Sequence, residues 1–212
     1  MARLANYADL ETQVRLRLKG NPESGVILEA LRRIGNDFCS RSNIWNGDLP
    51  AINLVSGTKA YAIADLGASA EIHEISGVRT LTAAQVTAGD YGTPISLSAV
   101  QYDPASLTVT LPASPASSVT GGLIVKAVLV PTFDSNEIAD WILRQWPYGL
   151  AAGAAAGVAN EPSNIGSYDP KLAGSLTVEY DRAVAEATRF AVTRGRALGQ
   201  VITRGFRLGA NR

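Results

Sequence analysis

Gly149-Leu150-Ala151-Ala152-Gly153-Ala154-Ala155-Ala156-Gly157 sets three glycines at a strict four-residue spacing inside an otherwise alanine-rich run. Residues four apart share one face of an α-helix, so this spacing predicts a helix with a flat strip open to close backbone approach. Each glycine costs about 0.5–1 kcal/mol relative to alanine in a helix interior, a cost that close packing can offset. The predicted helix spans Glu137–Ala159. It is capped by Asp134-Ser135-Asn136, carries Ile138, Ile142 and Trp146 on one stripe, and has a kink near Leu143–Trp146 imposed by Pro147. A polar turn, Glu161–Asp169, leads to a second helix, Pro170–Arg194. There Leu172, Leu176, Tyr180, Ala183, Ala187 and Phe190 recur at spacings of four, four, three, four and three, the clearest periodicity in the chain.

Upstream, Tyr7–Lys19 reads as a helix with Leu10, Val14 and Leu18 on one face, closed by Gly20-Asn21-Pro22. Ile27, Leu31, Ile34 and Phe38 then mark a second amphipathic helix. From Gly47 to about Thr132 short β-branched runs alternate with turn residues, predicting strands at Ala51–Val55, Lys59–Ala64, Glu71–Leu81, Ile95–Tyr102, Ser106–Leu111 and Leu123–Pro131. The expected fold is α+β: a helical bundle of about four helices with an inserted small antiparallel β-domain and an extended C-terminal tail. The segments are N-terminal helices at 1–46, the β-domain at 47–132, the helical hairpin at 133–198 and a basic tail at 199–212.

The net charge is zero but unevenly spread. Residues 1–181 carry 12 Lys+Arg against 18 Asp+Glu, whereas residues 182–212 carry seven Arg against Glu186 alone. That split predicts an acidic partner for the C-terminal end, either protein or nucleic acid. Phe206, flanked by Arg204 and Arg207, favours a docking segment over a merely solvated terminus. A single cysteine, Cys39, excludes an internal disulfide and a multi-cysteine metal site, and its apolar helical setting predicts a buried small residue. The N-terminus has no apolar core of signal-peptide length, and the charge-free run Gln145–Asn160 is shorter than the ~20 residues of a membrane span.

Catalytic raw material is sparse. His73 is the only histidine and lies in the alternating strand pattern Glu71-Ile72-His73-Glu74, where a solvated residue is the expectation. One histidine excludes histidine-rich zinc sites, and no phosphate loop, nucleophile elbow or strand-to-helix dinucleotide fingerprint occurs. Asp134, Glu137 and Asp140 read as helix-start carboxylates that favour the dipole. The chain is therefore not expected to be an enzyme, nor to use a cofactor or metal.

In order and spacing the chain resembles the head–tail connector, or neck adaptor, proteins of tailed bacteriophages. The resemblance rests on two N-terminal helices ending in Asp37-Phe38-Cys39-Ser40-Arg41-Ser42-Asn43-Ile44-Trp45. It continues through Gly57-Thr58-Lys59-Ala60-Tyr61-Ala62-Ile63 and Leu107–Pro112, then the long helical hairpin with its basic end. The Ala154-Ala155-Ala156 run and Pro147 depart from the family's pattern. The resemblance implies a homo-oligomeric ring, a dodecamer, beneath the portal at the virion neck, assembled in the host cytoplasm. It implies a tail nozzle or tail-completion protein on the other side and genomic DNA passing through without sequence-specific binding. Portal docking would use Arg194, Arg196, Arg204, Phe206 and Arg207, with helix close packing at Gly149, Gly153 and Gly157. The rival reading is a nucleic-acid-binding module acting through the arginine-rich end, and a hydrolase ranks last.

Overall fold

The computed structural model describes residues 3–63, 66 and 69–205, the last twelve of these as backbone. The chain divides into two compact units, one of residues 1–44 and 131–212 and one of residues 45–130.

In the helical unit, α2 (Ser24–Ser42) follows its sequence pattern closely: Ile27, Leu31 and Phe38 are buried, and Asn43 ends the helix in the left-handed conformation. The stretch before it does not form one helix. After strand β1 (Leu4–Asn6) comes a 3₁₀ turn, Tyr7–Leu10, and then the short α1 (Glu11–Arg15). The Arg15 guanidinium folds back to Glu11 Oε1 at 2.6 Å, Pro22 O at 2.6 Å and Ser24 Oγ at 3.0 Å, tying the exit of α1 to the entry of α2.

The residues expected to open the third helix instead form β10 (Glu137–Ala139), antiparallel to β1 with Leu4 opposite Ala139 and Asn6 opposite Glu137. Ser135 is no helix cap. Its hydroxyl accepts from Glu137 N at 3.0 Å and donates to Glu137 O at 3.1 Å. The helix then divides into α4 (Asp140–Gln145) and α5 (Pro147–Asn160). Trp146, at φ −123° and ψ 41°, makes the break, and Pro147 takes the first position of α5, where its missing N–H costs nothing. Pro147 thus separates two helices rather than kinking one. The last helix, α6 (Pro170–Gly205), starts on Asp169, whose Oδ1 accepts from Leu172 N at 3.1 Å.

The other unit centres on β9 (Val119–Pro131). This strand pairs on one flank with β2 (Asn46–Asp48) and β3 (Ile52–Leu54) and on the other with β5 (Ala70–Thr80), which also pairs with β6 (Thr93–Ile95). A register shift between Ile52 and Leu54 faces Gly121, at φ +66°, and Gly122, where an added Cβ would lie 2.8 Å from Val119 Cβ. Only glycines fit this bulge. A second sheet joins β4 (Ala60–Ala62), β8 (Thr108–Thr110) and β7 (Gln101–Asp103) in the order 4-8-7. Leu54, Tyr61, Val78, Val109, Leu123 and Val125 form the shared core. Between β5 and β6 lies α3 (Ala83–Ala88).

The described residues therefore hold six α-helices and three sheets, one of them five-stranded and antiparallel. This corrects the expectation of a roughly four-helix bundle bearing a small β insertion. The protein is richer in sheet, and β1–β10 places sheet within the helical unit as well. Of the extended tail expected at 199–212, residues 199–205 are instead helix, because α6 continues through Gly205, and residues 206–212 lie outside the described residues.

Candidate functional site

Of the residues singled out in sequence, Gly149, Gly153 and Gly157 lie on α5 and Arg194, Arg196 and Arg204 on α6. Apart from Pro147, Tyr148, Gly157 and Asn160, every residue of α5 is buried, so the helix has almost no solvent face. A helix apolar all round belongs at the centre of its domain, and α5 packs against α1, α2, α4 and α6. The three glycines are not equivalent. A Cβ on Gly149 would stand 2.3 Å from Ala183 Cβ, and one on Gly153 would stand 2.7 Å from the Tyr180 ring and 3.0 Å from Ile34 Cγ2. Gly157 is exposed, and nothing lies within 4 Å of its Cβ position. Two of the three thus serve contacts within the chain, to α6 and α2, and Gly157 serves none.

Around this core α6 is pinned by polar contacts. The Tyr180 hydroxyl donates to Asp37 Oδ2 at 2.6 Å, while Arg41 reaches Asp181 at 2.8 Å and Asp37 at 3.3 Å, with its guanidinium 5.6 Å from the Tyr180 ring centre. Burial, with Asp37 beside it, pushes the Tyr180 phenol well above its ordinary range, so it stays a donor. Hydrogen bonds to Asp181 and then Asp37 hold the Arg41 guanidinium charged. Towards the start of α6, Arg17 meets Glu179 at 2.8 Å and Lys19 meets Asp169 at 2.6 Å. Towards its other end, Phe190 packs edge-on against Trp146, ring centres 5.6 Å apart.

Past Phe190, α6 outlasts its partner. The helices are antiparallel, with Gly153 beside Tyr180, Gly149 beside Ala183 and Trp146 beside Phe190. Fifteen residues, 191–205, therefore run about 22 Å beyond the start of α5. Arg194, Arg196 and Arg204 belong to that helical stretch; Phe206 and Arg207 lie outside the described residues. The docking residues and the glycines thus sit on different parts of α6 and α5 rather than at one site.

The remaining candidates offer little chemistry. His73 is an exposed residue of β5. Cys39 is fully buried and its thiol is pushed up by that burial, which suits packing rather than reactivity. Asp140 pairs with Arg144 at 2.9 Å, and among the described residues no group of three or more His, Cys, Asp or Glu could hold a metal. A cleft of about 380 Å³ in the β-rich unit, walled by Leu54, Leu81, Ile95, Leu111 and Val119, contains no titratable side chain in its lining. Among the described residues no helix is long and apolar enough to cross a membrane.

Sequence reasoning missed a set of exposed apolar residues at the end of the helical unit opposite Phe190. Leu16 is 82% exposed, Ile165 90% and Tyr168 47%. Nothing in their spacing distinguishes them, since each sits singly in a polar turn. No protein-family model matches the chain, and no curated protein matches it in sequence.

Proposed function

We propose that the chain is a structural head–tail connector of a tailed bacteriophage. In this reading twelve copies form a ring at the virion neck, extending the DNA channel below the portal and docking the tail nozzle or tail-completion protein. The observation that carries it is the α6 helix, which outlasts α5 by about 22 Å and there holds three arginines and no acid. An amphipathic helix that outruns its intramolecular partner gains by covering its apolar positions on another protein, and a cluster of arginines selects an acidic one. The segment from Arg194 through Arg196, Arg204, Phe206 and Arg207 is assigned to the portal. The excess of acids over bases in residues 1–181 suits a conduit that lets DNA slide rather than binding it.

The test is association with purified portal protein, followed by the mass of the complex. The full chain should bind, and a chain truncated after Gly199 should keep its circular-dichroism spectrum apart from the lost helix while losing portal affinity at least tenfold. Undiminished binding by the truncated chain sinks the assignment of the segment; absence of binding by the full chain sinks the connector reading. A salt-sensitive shift of duplex DNA that disappears with the same truncation would support the nucleic-acid reading instead.

A further inference from the structure

Asn46 is the only asparagine in the chain that is followed by glycine. An Asn-Gly pair is prone to spontaneous deamidation, because glycine has no side chain to hinder its own nitrogen in attacking the neighbouring amide. The fold itself does not ask for glycine there. Gly47 lies inside β2, where glycine weakens a strand, its φ is not positive, and a Cβ on it would meet nothing within 4 Å. Asn46 is exposed, and its Oδ1 accepts from the Ser76 hydroxyl at 3.1 Å, which holds the side-chain amide in place.

The backbone around this pair is locked into the sheet. Leu129 N donates to Trp45 O at 2.7 Å, and Leu49 N donates to Val125 O at 2.8 Å. Hydrogen-bonded pairs alternate along an antiparallel ladder, so Gly47 and Ala127, midway between those two, form another such pair. The nitrogen that would attack Asn46 is therefore the one that donates to Ala127 O. An antiparallel strand also holds ψ near about +135°. Ring closure needs the Gly47 nitrogen turned back onto the Asn46 side chain instead.

We propose that Asn46 is a site of spontaneous deamidation that β9 holds closed, reacting only when β2 opens from it. With β2 released, the Gly47 nitrogen gives up its proton to solvent and bonds to Asn46 Cγ. The bond from Cγ to the side-chain nitrogen breaks, and that nitrogen takes up a proton and leaves as ammonia. Water then opens the cyclic imide at either carbonyl, giving aspartate or isoaspartate. No electrons are exchanged, and water is the only co-reactant. Isoaspartate adds a carbon to the backbone, which disrupts a register that pairs Asn46 with Val128 and Asp48 with Lys126, so the altered strand re-pairs poorly. Aspartate instead sets a second carboxylate on the face that already carries Asp48, two residues along the strand.

The test follows deamidation at Asn46 in the full chain at mildly alkaline pH, read by peptide mass and by isoaspartate methyltransferase labelling. It runs through a series of urea concentrations below and above the unfolding midpoint, alongside hydrogen exchange of the Gly47 amide. Below the midpoint, the slowing of deamidation relative to the unfolded chain should match the Gly47 protection factor to within tenfold, and both should change together with urea. Gly47→Ala, which the open space at that position accommodates, should slow the reaction of the unfolded chain at least tenfold. Deamidation as fast in the folded chain as in the unfolded one would show that β9 does not hold the site closed. A rate that departs from the protection factor by more than tenfold would show that opening of β2 is not the controlling event. A Gly47→Ala chain that reacts as fast as the unaltered one when unfolded would show that the glycine does not make the site. Any of these three results overturns the proposal.

Discussion

A single absent methyl group decides how closely two helices approach, and the glycines of α5 show where that applies. Gly149 faces Ala183 and Gly153 faces Tyr180 and Ile34 with no room for a Cβ, whereas Gly157 faces open space. Gly149→Ala should therefore lower stability by about 1–3 kcal/mol through overpacking, because the Ala183 methyl cannot swing aside. Gly157→Ala should raise it by about 0.5–1 kcal/mol through helix propensity alone. Urea midpoints would check the pair, and shifts of equal sign would show that the packing argument is wrong. The four-residue spacing was legible in the sequence and does place the glycines on one side of the helix. Which of them has a neighbour was not legible, since that depends on where α6 and α2 cross α5. Cys39 was easier to read, because its spacing to Phe38 and Leu31 already put it on the buried side of α2.

At the scale of elements, local signals and distant partners divide the outcome. α2 and α6 were visible because their apolar periodicity runs over many residues, α5 because its glycines recur every four residues in an alanine-rich run, and β5 and β9 because β-branched residues repeat through both. β1 and β10 were not visible: each is three residues long, and each is a strand only because the other offers an edge more than 130 positions away. Helix α3 lies just past the predicted strand Glu71–Leu81, in a stretch to which the sequence reading assigned no element, although its signal was present. Thr82 and Gln85 form a capping box, with Thr82 Oγ1 accepting from Gln85 N at 3.3 Å and Gln85 Oε1 accepting from Thr82 N at 2.9 Å. In so short a helix the cap decides whether the first turn forms. Thr82→Ala should cost about 1 kcal/mol and speed amide exchange in residues 86–90 while leaving the β9 amides protected. Unchanged exchange there would mean that tertiary contacts, not the cap, hold α3.

Over the whole molecule the carboxylates set the pH response. Glu11 is held below its ordinary value of 4.5 by the Ser24 hydroxyl and then Arg15, and Asp169 below 3.8 by Lys19 and then the Leu172 N–H. Asp103 is held below 3.8 by the Ser106 hydroxyl and the Ala105 N–H. Such groups take up a proton at lower pH in the folded chain than in the unfolded one. Their stabilisation is complete above the ordinary values and is lost as pH falls through the depressed ones. The melting temperature should stay level between about pH 5 and 7 and fall below about pH 4. Asp169→Asn, which keeps the helix cap but cannot titrate, should make that fall shallower, and an unaltered pH profile would remove Asp169 from the account.

The pairing of β2 with β9 brings the two ends of the β-rich unit together, with Leu129 N donating to Trp45 O at 2.7 Å. The helical unit is discontinuous in sequence, so α2 leaves the ribosome well before the chain that must pack on it. At ~5–20 residues per second, the 45–130 segment keeps α2 waiting for roughly 4–17 seconds. Once that segment folds, a loop of many residues becomes a junction one hydrogen bond wide. The entropy of closing it has then already been spent within the β-rich unit, before α5 arrives. Slowing the folding of the 45–130 segment should therefore lengthen the time for which α2 stays unpaired, read as slower burial of the Trp146 fluorescence on refolding.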